Sequence, residues 1–236
     1  YNELNLILFV GNWTFSDKTT FNMSLDYRKS PILMTSNALQ GQGVNSIADL
    51  LKTMTEDEVS NLAQDRTDTA QSIALGVSRP LTDKLQISGD VTFSEMKGTE
   101  ASGGVEAMPG TGTESLYSLQ LIGSSLIKEG DIAIVGLSYS NMSSSNTISL
   151  NLNTRYPILR EWRINPRFRV DYRKNKKDSG NQLKFRPSAR MDYVLKRRLH
   201  LELEAGYEWA TDKFSETNEE EKTRGYFWTV GYRIDF

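Results

Sequence analysis

Four arginines share one parity in "EWRINPRFRVDYRK": Arg163, Arg167, Arg169 and Arg173. Guanidinium groups are permanent cations that grip carboxylates and phosphates through paired N–H donors. Lys184, Arg186 and Arg190 repeat the parity in "LKFRPSARMDYVL", and Arg233 adds a cation near the end of the chain. Glu202, Glu204 and Glu208 alternate in "LHLELEAGYEW". Such a set supports two kinds of chemistry. It can close on itself as a salt-bridge ladder, or it can present a basic wall to an anionic solute or polysaccharide. If Leu195 lies opposite Leu199 across a "KRR" turn, Arg190 faces Glu204 and Arg186 faces Glu208.

Other chemistry is sparse. The chain has no Cys, which excludes disulfides, thiolate metal sites and Cys nucleophiles. Its one His, His200, removes most zinc sites and leaves a single candidate for His-based catalysis. "GQGVNS" and "GTGTES" lack the Lys-Ser/Thr ending of a phosphate loop and read as loop glycine. No metal or cofactor is expected. With 28 basic and 30 acidic residues the net charge is −2, no footprint for nucleic acid.

The elements that must hold these residues have period two. Leu199, Leu201, Leu203, Ala205, Tyr207 and Trp209 lie on one face of a strand, with His200, Glu202, Glu204 and Glu208 on the other. About eleven strands follow: 3–15, 19–29, 69–79, 84–97, 114–126, 131–143, 146–156, 161–174, 181–195, 198–211 and 223–236. Their connections alternate between tight and long, with "SSSN" at 143–146 a short one in a long slot. Pro166 and Pro187 fall inside strands, where a missing N–H predicts a bulge or a strand end. The connection 30–68 has its own helical spacing. Ile47, Leu50, Leu51 and Met54 predict a helix over 46–54; Thr55 and Glu58 form a capping box before Val59 and Leu62, predicting a second over 56–65. These helices either cap a mouth or fold inward as a plug.

Alternation alone fits a soluble β-sandwich, a lipocalin-like barrel or a membrane barrel with its faces swapped. No run of about 18 apolar residues exists to make a membrane-spanning helix. Three features favour a transmembrane β-barrel. Aromatics gather at strand ends on the apolar face: Tyr156, Trp162 and Tyr193 near short turns, Tyr172 and Trp209 near long connections. Gly206, Gly225 and Gly231 fall on the polar face, where a crowded interior needs them. The chain ends on an apolar alternation, Tyr226, Trp228, Val230, Tyr232, Ile234 and Phe236. With short turns taken as periplasmic, the first and last visible strands both run inward. A single-chain bacterial barrel has an even strand number, so the expectation is a strand before Tyr1 and about twelve or more in all.

The ending "YFWTVGYRIDF" resembles the C-terminal signature of bacterial outer-membrane barrels, whose last strand is read by the barrel assembly machinery. "SPILMTSNALQGQ", "GTGTESLYSLQLIGSSLIKEGD", "RYPILREWRINPRFRVDYR" and "RRLHLELEAGYEW" are similar to the C-terminal barrels of large proteobacterial envelope proteins with periplasmic tetratricopeptide repeats. The resemblance implies a location in the outer membrane of a Gram-negative cell. It also implies contact with lipid and lipopolysaccharide, and a missing N-terminal region or other envelope proteins as partners. Two functions are expected of such a barrel: a pore or export conduit, or a plugged barrel anchoring a periplasmic or surface assembly. Catalysis is not expected. His200 lies on the polar face beside a short turn, the wrong face for a barrel phospholipase and the wrong end for an omptin-type protease.

Overall fold

The computed structural model describes residues 6–29, 36–196, 198–214 and 219–235. Eleven strands are present among them. They are β1 (Leu6–Thr14), β2 (Thr20–Arg28), β3 (Thr69–Pro80), β4 (Leu85–Lys97), β5 (Gly112–Ser124), β6 (Ile132–Asn141), β7 (Ser145–Pro157), β8 (Trp162–Asn175), β9 (Asn181–Leu195), β10 (Leu199–Lys213) and β11 (Glu220–Ile234). They form one sheet in sequence order, so each strand pairs with its chain neighbours and β1 and β11 are the edges. The described registers from β6 to β11 are all antiparallel. This is the sheet that alternating apolar residues and hairpin turns dictate.

Two compact units share the chain. One combines Asn22–Leu75 and Thr92–Ser115 with the residues before Trp13; the other combines Trp13–Phe21, Gly76–Val91 and Leu116–Phe236. In the first unit, the 29–68 connection carries helices α1 (Ile47–Leu50) and α2 (Glu56–Asp65). The Ser46 hydroxyl accepts the Asp49 N–H and caps α1. The capping box of α2 is complete: Thr55 Oγ1 accepts the Glu58 N–H, and the Glu58 carboxylate accepts the Thr55 N–H at 2.8 Å. Ala38, Leu50, Val59 and Ala63 form a small core with Ile47 and Met54 packed against it, and Leu62 is buried as well. The first helix is shorter than its spacing predicts. It ends at Leu50, so Leu51 becomes the C-cap and is exposed instead of joining the apolar stripe. A helical turn at 36–39 is an addition that no periodicity announces.

The second unit holds the strands with the alternating charges. Along β10 the exposure of the two faces is inverted relative to a soluble protein. Leu201 (38%), Leu203 (46%), Tyr207 (40%) and Trp209 (42%) are exposed, while Glu202, Glu204 and Glu208 opposite them are half-buried. Val135, Leu137 and Tyr139 of β6 and Ile148, Leu150 and Leu152 of β7 are exposed in the same way. A contiguous apolar surface of this extent has no place in water.

The prolines do not produce the bulges expected of them. The partner sequence skips Thr154 and Arg155, beside Pro166, and Tyr207 and Glu208, beside Pro187, but the register is unchanged on either side. The β8–β9 ladder passes both prolines without a break. A proline whose nitrogen points to one neighbour removes a single bond there and leaves the other ladder whole.

Candidate functional site

The pairing of β7 to β10 decides which charges meet. Trp162 stands opposite Tyr193 and Asn165 opposite Arg190, so Arg163, Arg167, Arg169 and Arg173 fall on one face with Lys184, Arg186 and Arg190. Leu199 stands opposite Leu195, as the turn length requires, so Glu204 faces Arg190. β10 and β11 add His200 opposite Arg233 on the same face.

Of the two cross-strand ion pairs expected, Arg186–Glu208 forms and Arg190–Glu204 does not. Arg190 Nη2 donates to Glu202 Oε1 at 2.7 Å and its Nε to Asp192 Oδ1 at 2.6 Å, not to Glu204. Glu204 instead accepts from Arg167 Nη1 at 3.3 Å, two strands away. Glu208 meets Lys184 Nζ at 3.2 Å and Arg186 Nε at 3.8 Å. Long guanidinium side chains reach diagonal neighbours, and the carboxylate that can be shared is the one they take.

Two aspartates missing from the expected acidic set organise the network. Asp171 accepts from Arg169 Nε at 2.8 Å, from Arg186 Nη2 at 2.8 Å and from the Ser149 hydroxyl. Asp192 accepts from Arg190 and from Asn165 Nδ2 at 2.7 Å. Their parity within "RFRVDYR" and "ARMDYV" already placed both on this face. Arg155 of β7 was also missed, although it shares the parity of Asn151 and Asn153.

Not every cation is paired. Arg155, Arg163 and Arg173 make no ion pair among the described residues. The unpaired Arg155 and Arg163 line an open recess of about 430 Å³ with Asn153, Asn165, Arg167 and Arg190. A second recess of about 680 Å³ lies over Arg167, Arg169, Arg186 and Glu208, with Phe168 and Phe227 in its wall. Glycine serves this wall at one position. A side chain at Gly206 would enter the ring of Phe227 and the Cβ of Ser188, whereas Gly225 has open space beside it. The ring covering Gly206 is an aromatic rescue of a bare strand position.

At the short-turn ends the Trp162 and Tyr193 rings are 4.4 Å apart. Tyr156 stands opposite Ile164 on that apolar face. Tyr172 and Trp209 are exposed near the long connections. Tyr226, Trp228, Tyr232 and Ile234 are exposed along β11, and Phe236 lies outside the described residues. His200 Nε2 lies 2.9 Å from Asp235 Oδ2 and 3.3 Å from Arg233 Nη2.

The first unit contains a residue that the sequence did not advertise. Arg66 is 4% exposed and its guanidinium meets only backbone carbonyls. It donates to Asn37, Ala38 and Gln40 on one side and to Ser102 and Gly103 on the other. The 29–68 insertion is thereby tied to the β4–β5 connection. No spacing in the sequence marks these partners, because they come from loops 26 to 37 residues away.

No protein-family model matches the chain, and no curated protein matches it in sequence. Among solved structures it is similar to the copper transporter OprC, an outer-membrane β-barrel, with a TM-score of 0.61 over 92% of this chain at 9% identity. The chain spans 38% of that transporter's length. The fold is therefore that of an antiparallel outer-membrane β-barrel.

Proposed function

We propose that this chain is part of a transport barrel in the bacterial outer membrane, with the basic face of β7–β10 guiding anionic solutes along the interior. The observation that carries this reading is the inverted exposure of β10: leucines and Trp209 outward, glutamates sheltered on the charged face. Apolar residues suited to lipid and charges suited to hydrated solute are then on the sides where each works. The unpaired Arg155, Arg163 and Arg173 supply a cationic surplus that a purely structural ladder does not need. The role is conduction or export rather than catalysis. The lipid neighbours are outer-membrane phospholipid and lipopolysaccharide. The alternation ending in Tyr232 and Ile234 suits recognition by the barrel assembly machinery, and further envelope domains, tetratricopeptide repeats among them, are proposed partners.

A second reading is a closed barrel that anchors an envelope assembly. It is favoured by the Arg66 clasp, which joins two long connections into one body. Planar-bilayer recording separates the two. The conduit reading expects anion-selective conductance from the intact protein. The anchor reading expects silence, and silence that persists after deletion of residues 40–66 removes the conduit and a gating role for the insertion together.

A further inference from the structure

The 430 Å³ recess is not merely one stretch of a basic wall. Asn153 stands opposite Arg167 and Pro157 opposite Arg163, so Arg155 sits between Arg163 and Arg167 on the neighbouring strand. Arg155 is thus diagonal to both Arg163 and Arg167, and all three line one recess, Arg167 donating to Glu204 at its edge. Asn153 and Asn165 add neutral polar groups, and Ile132 and Ile134 add apolar ones. The lining holds four arginines (Arg155, Arg163, Arg167 and Arg190) against one carboxylate, Asp192. Glu202 and Glu204 stand outside that lining, against Arg190 and Arg167. Asp192 is taken by Arg190 and Asn165, although Arg163 faces it across the ladder. Arg155 and Arg163 are left with no ion pair among the described residues. The larger recess shares Arg167 but differs in having no unpaired arginine: Arg169 and Arg186 are each bound to a carboxylate as Arg167 is.

We infer that this recess is a binding subsite for a phosphate monoester on a small polar carbon skeleton, such as a sugar phosphate. Paired N–H donors from the unpaired Arg155 and Arg163, with the further donors of Arg167 beside them, match a group with three terminal oxygens and up to two negative charges. A carboxylate offers two oxygens and one charge and leaves a guanidinium unserved. The volume suits a ligand of monosaccharide size, within the roughly 300–1,000 Å³ usual for small-molecule sites. The inference rests on the reading of the polar face as a solute path and gives that path a recognition step.

The test is titration calorimetry of the full chain, folded in detergent, with glucose 6-phosphate as probe. Saturable heat is expected, strengthening from about pH 5 to about pH 7.5 as the phosphate takes its second charge. R155Q/R163Q should weaken binding by about tenfold or more, since a hydrogen bond to a charged group is worth about 1.5–3 kcal/mol. R173Q, which removes an equally unpaired cation from the opposite end of β8, should leave it unchanged. R155K and R163K keep the charge and lose the fork, so a partial loss in each supports the site even if the double variant folds poorly. Equal losses in R173Q and R155Q/R163Q, or equal binding of glucuronate, overturn it. Competition by micelles doped with phosphatidic acid would assign the phosphate to a lipid headgroup and overturn the soluble ligand. Anion-selective conductance without saturable binding sinks the subsite alone; saturable binding without conductance sinks the conduit alone.

Discussion

Asp131 closes the β5–β6 turn with one carboxylate. Its two oxygens accept the N–H groups of Leu126, Ile127 and Lys128, each at 2.8 Å. The bond from the Lys128 amide, with those from Ile127 and Leu126, outweighs desolvation and holds the acid below its ordinary value of 3.8. A carboxyl lowered in the folded state contributes stability above its unfolded value and loses it as the pH falls through the folded one. Hydrogen exchange at amides 126–128 should therefore be slow and flat with respect to opening above about pH 4, and protection should fall on further acidification. D131N should abolish that acid dependence and weaken protection at neutral pH; an unchanged profile would mean that the carboxylate does not hold the turn. At this scale much of the site was legible. Parity alone placed the arginines of β8 and β9 and the glutamates of β10 on one face. The partners were legible in part: Arg186 meets Glu208 as its register requires, but Arg190 chooses Glu202 over the directly opposed Glu204, and reach and competition for carboxylates decide that.

At the scale of elements, the insertion depends on Arg66 more than on its helices. Isolated helices of 4 and 10 residues are too short to be stable on their own. Arg66 gathers carbonyls from residues 37–40 and 102–103, and each would be left buried or poorly paired without it. R66A should loosen both segments by about 2 kcal/mol or more, at about 1–3 kcal/mol per unsatisfied buried group. R66K should not rescue it, since one ammonium cannot span carbonyls on two sides. Limited proteolysis should then cut near residues 36–43 and 98–105 while the strands stay protected. Global unfolding, or no new cleavage, would contradict a local clasp. Gly103 belongs to the same device: its φ of +54° and the guanidinium beside it leave no room for a side chain. The capping box at Thr55 and Glu58 was readable because its partners are three residues apart. Arg66 was not, because its partners are separated by whole strands. The shorter first helix has a similar cause: Leu51 keeps the spacing of a stripe, but the helix ends at Leu50.

For the molecule as a whole, eleven alternating strands followed from period two and connection length, and the aromatic strand ends pointed to lipid on the apolar face, which the exposures along β10 match. The remaining question is what the charged face does. The pairs Arg167–Glu204, Lys184–Glu208, Arg186–Glu208 and Arg190–Glu202 join β8 and β9 to β10. Substituting the three glutamates as E202Q/E204Q/E208Q keeps shape and hydrogen-bonding capacity and removes three negative charges. Partly exposed pairs of this kind contribute about 0.2–1 kcal/mol each, so the loss of stability should be modest, about 1–3 kcal/mol in all. Arg186 then keeps Asp171 and Arg190 keeps Asp192, while Arg167 and Lys184 lose the ion pairs they make among the described residues. If the face borders a hydrated path, the ratio of anion to cation permeability in bilayer recordings should rise severalfold, and more at low salt than at high salt, because screening within about 10 Å at 0.1 M weakens exposed charges. A barrel that loses stability with no change in selectivity would make the network a strut between strands. A barrel that changes selectivity with little loss of stability would make the glutamates a trim on the conduit's charge, and Arg155, Arg163 and Arg173 its working surplus.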